Sequence, residues 1–422
     1  MTTNSLLANL HGVNPDGTNP CGTNQQSAAN GSSQHWDIFC LVVDNYGDIG
    51  VTWRLAKQLA NEHKIKVNLW VDDLNSFAHI LPELTPSRAK QSFNGVTIYK
   101  WEETNLAPFT PGSVLVEAFA CELPNAVKDK LNQHKQTFGT QPVWINLEYL
   151  CAEDWVEGCH ALPSMQSNGL QKWFYFPGFT TKTGGLICES NLLETCEQWQ
   201  SNASNKLALL NEFGITGIKA NDYLISLFSY ENNTISALLN HYASKPEQAT
   251  HVLVPQGRSV ASVEQYLQAE CGLTDATLTL GKPVPIGQIT LHLLPMTNQE
   301  SYDKLLWSCD LNIVRGEDSF LRAQWAQRPF IWHIYPQDED YHLVKLNAFL
   351  AHYCKDWPQD VAEHYVELVN GFNVYNAQQV ACELQAFDDQ LEFIEQMAKI
   401  WPQSAINDTD LVSRLVQFVK SR

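Results

Sequence analysis

The chain has 422 residues, 44% of them hydrophobic and 11% aromatic, which is enough to bury two cores of ordinary size. Its 46 acidic residues outnumber 27 basic ones, and the net charge of −19 argues against a nucleic-acid partner, whose backbone calls for clustered Lys and Arg. No apolar run approaches the roughly 20 residues that span a bilayer, no basic and apolar signal opens the chain, and the 11 cysteines show neither C-x-x-C pairing nor zinc spacing, so a reduced, cytoplasmic protein with no membrane partner is expected.

Residues 1–34 are rich in Asn, Gly, Ser and Thr and predict a disordered leader. From Trp36 the character changes. Asp37 to Val43 is the continuous apolar run of a strand covered on both faces, and Asp48 opens a helix in which Ile49, Trp53, Ala56 and Leu59 recur at helical spacing. Further strands are predicted at Ile65–Val71, Val96–Trp101, Ser113–Phe119 and Val143–Leu147.

A second alternating series starts near Asp222. Strands are expected at Tyr223–Phe228, His251–Val254, Ile289–Leu294, Leu311–Val314 and Pro329–Trp332, with helices at Ile235–Tyr242, Val260–Ala269, Gln299–Trp307 and Ser319–Ala326 between them. Beyond Tyr341 the pattern is helical, and Asp410–Lys420 has the amphipathic spacing of a last helix that can pack back on the first half. Strands alternating with helices in both halves predict an α/β protein of two Rossmann-like domains.

Two turns carry chemistry. Asn312 to Ala326 reads as a buried strand that turns through Arg315-Gly316-Glu317-Asp318-Ser319 into a helix, where an α/β protein binds phosphate. Arg315 offers a planar cationic fork, Ser319 a hydroxyl, and the first-turn amides have no partners within the helix. Glu317 and Asp318 would repel a bare phosphate, so a nucleotide-sugar site fits better than a simple anion hole. Helix-dipole stabilisation by the two acids, with Arg315 paired to one of them, is the plainer alternative.

The other turn, Val43-Asp44-Asn45-Tyr46-Gly47-Asp48-Ile49-Gly50, follows the first strand. It lacks the three glycines of a dinucleotide fingerprint, although Asp73 stands where such a protein would bind ribose, so a dehydrogenase remains an alternative. A helix N-cap explains Asp48 and a turn former explains Asp44. Pointing into a cleft, the pair can instead accept hydrogen bonds from a nucleophile and take its proton.

Asp72-Asp73 and Asp338-Glu339-Asp340 resemble acidic metal motifs but read as solvated loop charges, and His333 with His342 lacks a third ligand. No metal site is expected. Glu117 and Glu122 flank Phe119 after a strand, either to meet a basic target or as an ordinary turn, and Cys40 reads as a core thiol.

Taken together, Val43 to Ala56, Glu117-Ala118-Phe119-Ala120-Cys121-Glu122-Leu123-Pro124, Asn146-Leu147-Glu148-Tyr149-Leu150, Phe176-Pro177-Gly178-Phe179 and Val314 to Ser319 running on to Trp332-His333-Ile334-Tyr335-Pro336-Gln337 closely resemble the bacterial protein-arginine rhamnosyltransferases. The resemblance implies a GT-B fold of two facing Rossmann-like domains. It implies an inverting enzyme, independent of metal and cofactor, that moves rhamnose from dTDP-β-L-rhamnose to an arginine of elongation factor P. An acceptor-binding domain over residues 36–190, joined by a returning helix at 405–422, would then face a nucleotide-sugar domain over 220–400.

By the same resemblance Asp44 and Asp48 are the catalytic carboxylates, with Asp48 preferred as base, and Glu317 is a partner near the sugar or β-phosphate. Tyr230, Arg315, Asp318, Ser319 and Tyr335 fall at the diphosphate and ribose, and Phe228, Gln299 and Tyr302 at the thymine base. Met296 stands where an aromatic is usual and can still cover a base face. Asn45, Tyr46, Glu117 and Phe119 fall on the acceptor side.

Overall fold

The computed structural model describes residues 33–44, 46–246, 248–273 and 276–422. Asn45 and residues 1–32 of the expected leader lie outside the described residues. The first lobe holds eight strands, β1 (Ser33–Cys40), β2 (Lys66–Val71), β3 (Lys90–Phe93), β4 (Val96–Lys100), β5 (Gly112–Ala118), β6 (Val143–Leu147), β7 (Pro163–Met165) and β8 (Gln171–Tyr175). Its helices are α1 (Gly47–Asn61), α2 (Leu74–Ile80), α3 (Glu103–Leu106), α4 (Asn125–Phe138) and α5 (Val156–Cys159). Two further helices, α6 (Leu192–Gln200) and α7 (Ala203–Glu212), lead into the second lobe.

That lobe contains β9 (Tyr223–Leu227), α8 (Ile235–Ser244), β10 (Thr250–Pro255), α9 (Ser259–Ala269), β11 (Val284–Ile286), β12 (Ile289–Leu294), α10 (Gln299–Ser308), β13 (Leu311–Arg315), α11 (Glu317–Trp325) and β14 (Phe330–His333). The chain ends in α12 (Tyr341–Tyr353), α13 (Gln359–Asn373), α14 (Ala377–Asp389), α15 (Leu391–Ile406) and α16 (Leu411–Lys420).

The first sheet runs β3-β4-β2-β1-β5-β6-β8-β7, parallel except for its two edge strands. Its six parallel strands thus lie in the order 3-2-1-4-5-6 of a doubly wound sheet. The second runs β11-β12-β10-β9-β13-β14 and turns at the same point, between its first strand and the one that crosses to the other side. Ligands of such sheets bind at that switch point, beyond the carboxyl ends of the strands. Those ends are the Val43–Asp48 turn in one lobe, and Phe228–Tyr230 with Arg315 in the other.

β1 shows why the run of apolar residues reads as a covered strand. Ile38 and Cys40 enter one hydrophobic cluster while Phe39, pointing to the opposite face, enters another. The strand begins at Ser33 rather than Asp37, because Ser33 already pairs beside Gly112 of β5. It ends at Cys40 rather than Val43, since the Val42 amide leaves the ladder to donate to the Asp72 carboxylate at 2.9 Å.

The chain crosses between lobes near Cys188 and again near Asp410. After the second crossing the Leu411 amide donates to Leu186 at 2.8 Å, and α16 buries Leu411, Val412, Leu415 and Val416. No helix among the described residues is long and apolar enough to cross a membrane.

Candidate active site at the facing strand ends

β13 delivers Arg315 to the cleft, buried to 4% exposure. Gly316 then turns the chain with φ +65°, a conformation that costs other residues strain, and a Cβ there would sit 3.3 Å from an Asp44 oxygen. The Arg315 guanidinium lies 4.7 Å over each of the Phe228 and Tyr230 rings, which hold its plane. Its Nη1 is 3.4 Å from Asp44, and the Tyr230 hydroxyl donates to the other Asp44 oxygen at 2.8 Å. The anion these two groups of the second lobe now face is therefore a carboxylate of the first. Arg315 Nε, Gln299 Oε1 and the Tyr302 hydroxyl are buried without a protein partner, a set of free polar atoms that suits a polar ligand.

On the opposite side the Gly47 amide closes a turn onto the Asp44 carbonyl at 2.7 Å, and α1 starts. Asp48 is not the N-cap, a position held by Tyr46; its carboxylate folds back instead. One oxygen accepts the Val43 and Asp44 amides, both at 2.8 Å, and the other accepts the Tyr149 hydroxyl at 2.9 Å. Burial raises the proton affinity of Asp48 above that of an ordinary aspartate despite these donors. Across the cleft Glu317 is pushed up to about 8, first by burial and further by the charge of Asp48, while the Leu150 amide donating at 3.0 Å opposes the shift. Two carboxyl groups with raised proton affinity thus line one space, from opposite lobes.

Two hollows meet there. A narrow one, about 60 Å³, is walled by Phe228, Met296, Gln299, Tyr302, Arg315 and Ser319 of the second lobe and roofed by Tyr46 and Ile80 of the first. A wider one, about 260 Å³, holds Asp48, Phe119, Tyr149, Glu317, Trp332, Tyr335 and Lys345. Asp44, Gly47 and Gly316 belong to both walls.

Most of the residues singled out in the sequence converge here, but several stand elsewhere than expected. Tyr46, expected on the acceptor side, lines the narrow hollow, while Tyr335, expected at the diphosphate, lines the wider one. Asp318 touches the narrow hollow but gives its carboxylate to Arg54 of α1 at 2.6 Å, an ion pair between lobes. Gln299 likewise donates across the lobes to the Gly50 carbonyl at 2.9 Å. Glu117 is in neither hollow: it accepts from the Trp144 indole at 3.2 Å and pairs with Lys172 at 3.1 Å, on the face of β5 where Trp144 packs.

Asp73, weighed as a ribose ligand, is engaged as the cap of α2, accepting the Asn75 and Ser76 amides and the Ser76 hydroxyl, and lines neither hollow. His333 is fully buried among Tyr230, Phe372 and Tyr375, its ring held neutral by burial with the pKa down to about 3. Among the described residues no group of three His, Cys, Asp or Glu is placed to hold a metal ion. Cys40 is a buried thiol, its pKa raised well above the ordinary value by the loss of solvent.

Sequence reasoning gave no role to Tyr149, Leu150, Trp332 or Lys345. For Tyr149 and Leu150 a signal existed, since they follow the carboxyl end of β6. Lys345 sits on a helix reached only through the fold, and nothing in its neighbours along the chain marks it.

The profile of the Elongation-Factor P (EF-P) rhamnosyltransferase EarP family matches residues 36–420. A protein-arginine rhamnosyltransferase of Shewanella oneidensis is 52% identical over 396 residues, 93% of this chain and 99% of that protein. One from Pseudomonas aeruginosa is 44% identical over 383 residues, covering 91% and 98%. A solved structure described as the structural basis for EarP-mediated arginine glycosylation of translation elongation factor EF-P superposes with a TM-score of 0.62 at 34% identity, over 92% of this chain and 99% of that one. UDP-GlcNAc 2-epimerase from Neisseria meningitidis bound to UDP-GlcNAc shares the fold alone, at 11% identity and a TM-score of 0.50, over 92% and 99%. The two facing Rossmann-like sheets are those of a GT-B enzyme. Matched along nearly its whole folded length, the chain belongs to the EF-P rhamnosyltransferase family.

Proposed function

We propose that this chain transfers L-rhamnose from dTDP-β-L-rhamnose to an arginine side chain of elongation factor P, with inversion at the anomeric carbon. The observation that carries this reading is the opposition across one cleft of Asp44 and Asp48 to Arg315, Tyr230 and Glu317. The domain of residues 36–190, with the returning helix, takes the acceptor. The domain of residues 220–400 takes the nucleotide sugar. The ten described cysteines are free, which supports a reducing, cytoplasmic setting.

The narrow hollow takes the nucleotide. Phe228, Met296 and Tyr302 offer apolar surface to a thymine, and the unpaired Gln299 Oε1 offers an acceptor to a base N–H. The diphosphate takes the place against Arg315 and Tyr230 that the Asp44 carboxylate holds in this structure. That exchange frees Asp44 for the acceptor. The sugar then projects into the wider hollow beside Glu317.

A guanidinium is a poor nucleophile because its lone pairs are delocalised and its proton is held far above neutral pH. Asp44 and Asp48 can grip the fork, twist one nitrogen out of conjugation and accept its proton as that nitrogen attacks C1. The C–N bond forms as the C1–O bond to the diphosphate breaks, and the bonding pair leaves with dTDP. Arg315, the Tyr230 hydroxyl and the first-turn amides of α11 counter the charge that builds on the departing oxygen. Burial raises the pKa of Glu317 to about 8, which favours its protonated form at neutral pH, and the arriving cation favours its ionisation.

Intact-mass analysis of purified elongation factor P after incubation with this chain and dTDP-β-L-rhamnose tests the reading. A single deoxyhexose increment that maps to one arginine is expected. Complex formation with no increment contradicts it and leaves a docking protein.

A further inference from the structure

The lobes are joined by an ordered set of contacts along one helix. Gly50, Arg54 and Lys57 recur at helical spacing on α1, and each meets the second lobe. A Cβ on Gly50 would lie 3.1 Å from the Asp318 side chain, so a larger residue there would press α11 away from α1. The Arg54 guanidinium, 2% exposed, donates to both oxygens of Asp303 at 3.0 Å and through Nε to Asp318 at 2.6 Å. Asp303 also takes two bonds from Arg322, at 3.0 and 2.7 Å, and Arg322 reaches Glu189 at 2.6 Å. At the rim Lys57 pairs with Glu300 at 2.7 Å.

This cluster sits between the two reacting sides. α1 carries Asp48 in its first turn, and Asp318 follows Glu317 directly on α11. A buried ion pair of this kind adds little net stability compared with apolar packing, and its best use is to fix one arrangement among several. The fork of an arginine held by two carboxylates tolerates neither sliding nor rotation of one helix on the other, which a single apolar contact would allow.

We infer that Arg54 is a positioning residue for the transfer reaction: by binding Asp303 and Asp318 it sets the register of α1 on α11 and so holds the Asp48 carboxylate opposite Glu317. The inference rests on the reaction assigned above. Arg54 lines neither hollow. Its effect on rate comes through alignment, where a misplacement of about 1 Å costs on the order of a hundredfold.

The test uses the full chain with elongation factor P and dTDP-β-L-rhamnose, measuring kcat at saturating acceptor and, separately, the dissociation constant for dTDP. Arg54→Lys keeps the charge but loses the fork; kcat should fall at least about tenfold while dTDP affinity stays within about threefold. Glu189→Gln weakens only the longest contact of Arg54, at 3.8 Å, and leaves its bonds to Asp303 and Asp318, so it should keep kcat within about twofold. Gly50→Ala favours the helix but presses on Asp318, and should lower kcat at least about fivefold. It carries the test if Arg54→Lys does not fold.

An Arg54→Lys or Gly50→Ala chain with kcat within about twofold of wild type overturns the inference. So does a loss of dTDP affinity in Arg54→Lys that parallels the loss of kcat, or an equal loss of kcat in Glu189→Gln. The wild-type reaction run alongside separates the two claims. An inactive wild type contradicts the assigned reaction, whereas an active wild type with an unaffected Arg54→Lys contradicts only the register.

Discussion

The Tyr230 hydroxyl of the second lobe donates a 2.8 Å hydrogen bond to the Asp44 carboxylate of the first. A catalytic candidate and a phosphate-binding candidate thus satisfy each other. In the proposed reaction the diphosphate displaces Asp44 from that bond, which couples the two halves of the site. Tyr230→Phe should cost dTDP about 0.5–1.5 kcal/mol of binding, roughly two- to twelvefold in affinity by titration calorimetry. Unchanged affinity would place the diphosphate elsewhere.

Arg315→Ala removes the cation that the proposed reaction sets against the leaving group. Loss of one such donor costs about 2.7–4 kcal/mol of barrier, so kcat should fall on the order of a hundred- to a thousandfold in steady-state assays, together with weaker donor binding. A variant with normal kcat and only a raised KM would confine Arg315 to ground-state binding.

Tyr149→Phe should move the acid limb of the kcat/KM profile to higher pH. The sign follows from the donor: the Tyr149 hydroxyl stabilises ionised Asp48, and its removal leaves burial less opposed, so the carboxyl holds its proton to higher pH. A limb that stays in place, or moves to lower pH, would remove Asp48 from the role of base.

Glu317 makes stability depend on pH. Its folded pKa, about 8, lies above the unfolded value of 4.5, so the folded chain binds more protons between those limits. Its contribution is fully present below pH 4.5 and is lost as pH rises through 8. Glu317→Gln should therefore raise Tm relative to wild type at pH 8 more than at pH 5, by scanning calorimetry without ligand. Equal effects at both values would mean that the carboxyl ionises as freely in the fold as in water.

Much of this architecture is legible in the chain because parallel strands announce themselves. β6 and β12 stand where their apolar runs end, and α1 shows Ile49, Trp53 and Ala56 at helical spacing. β8, read from Gln171-Lys172-Trp173-Phe174-Tyr175, escaped because most of its residues are only half-buried and its start is polar. The site divides in the same way. Turns at strand ends can be found from strand ends, which is how Asp44, Asp48, Arg315 and Glu317 emerged. What each side chain touches depends on the other lobe.

Asp318 illustrates the point, since its partner Arg54 lies 264 residues away and reads locally as an ordinary helix arginine. Glu117 shows the reverse error. Its position at the end of β5 is right for a site, yet strand alternation turns it toward Trp144 and Lys172.

The most direct measurement is a crystal structure of the Asp48→Asn chain with dTDP-β-L-rhamnose bound. The diphosphate should lie against Arg315 and Tyr230, with the anomeric carbon presenting to residues 44 and 48 the face opposite the leaving oxygen. A sugar turned away from those residues, or a diphosphate bound outside the Arg315 turn, would contradict in-line transfer across the cleft.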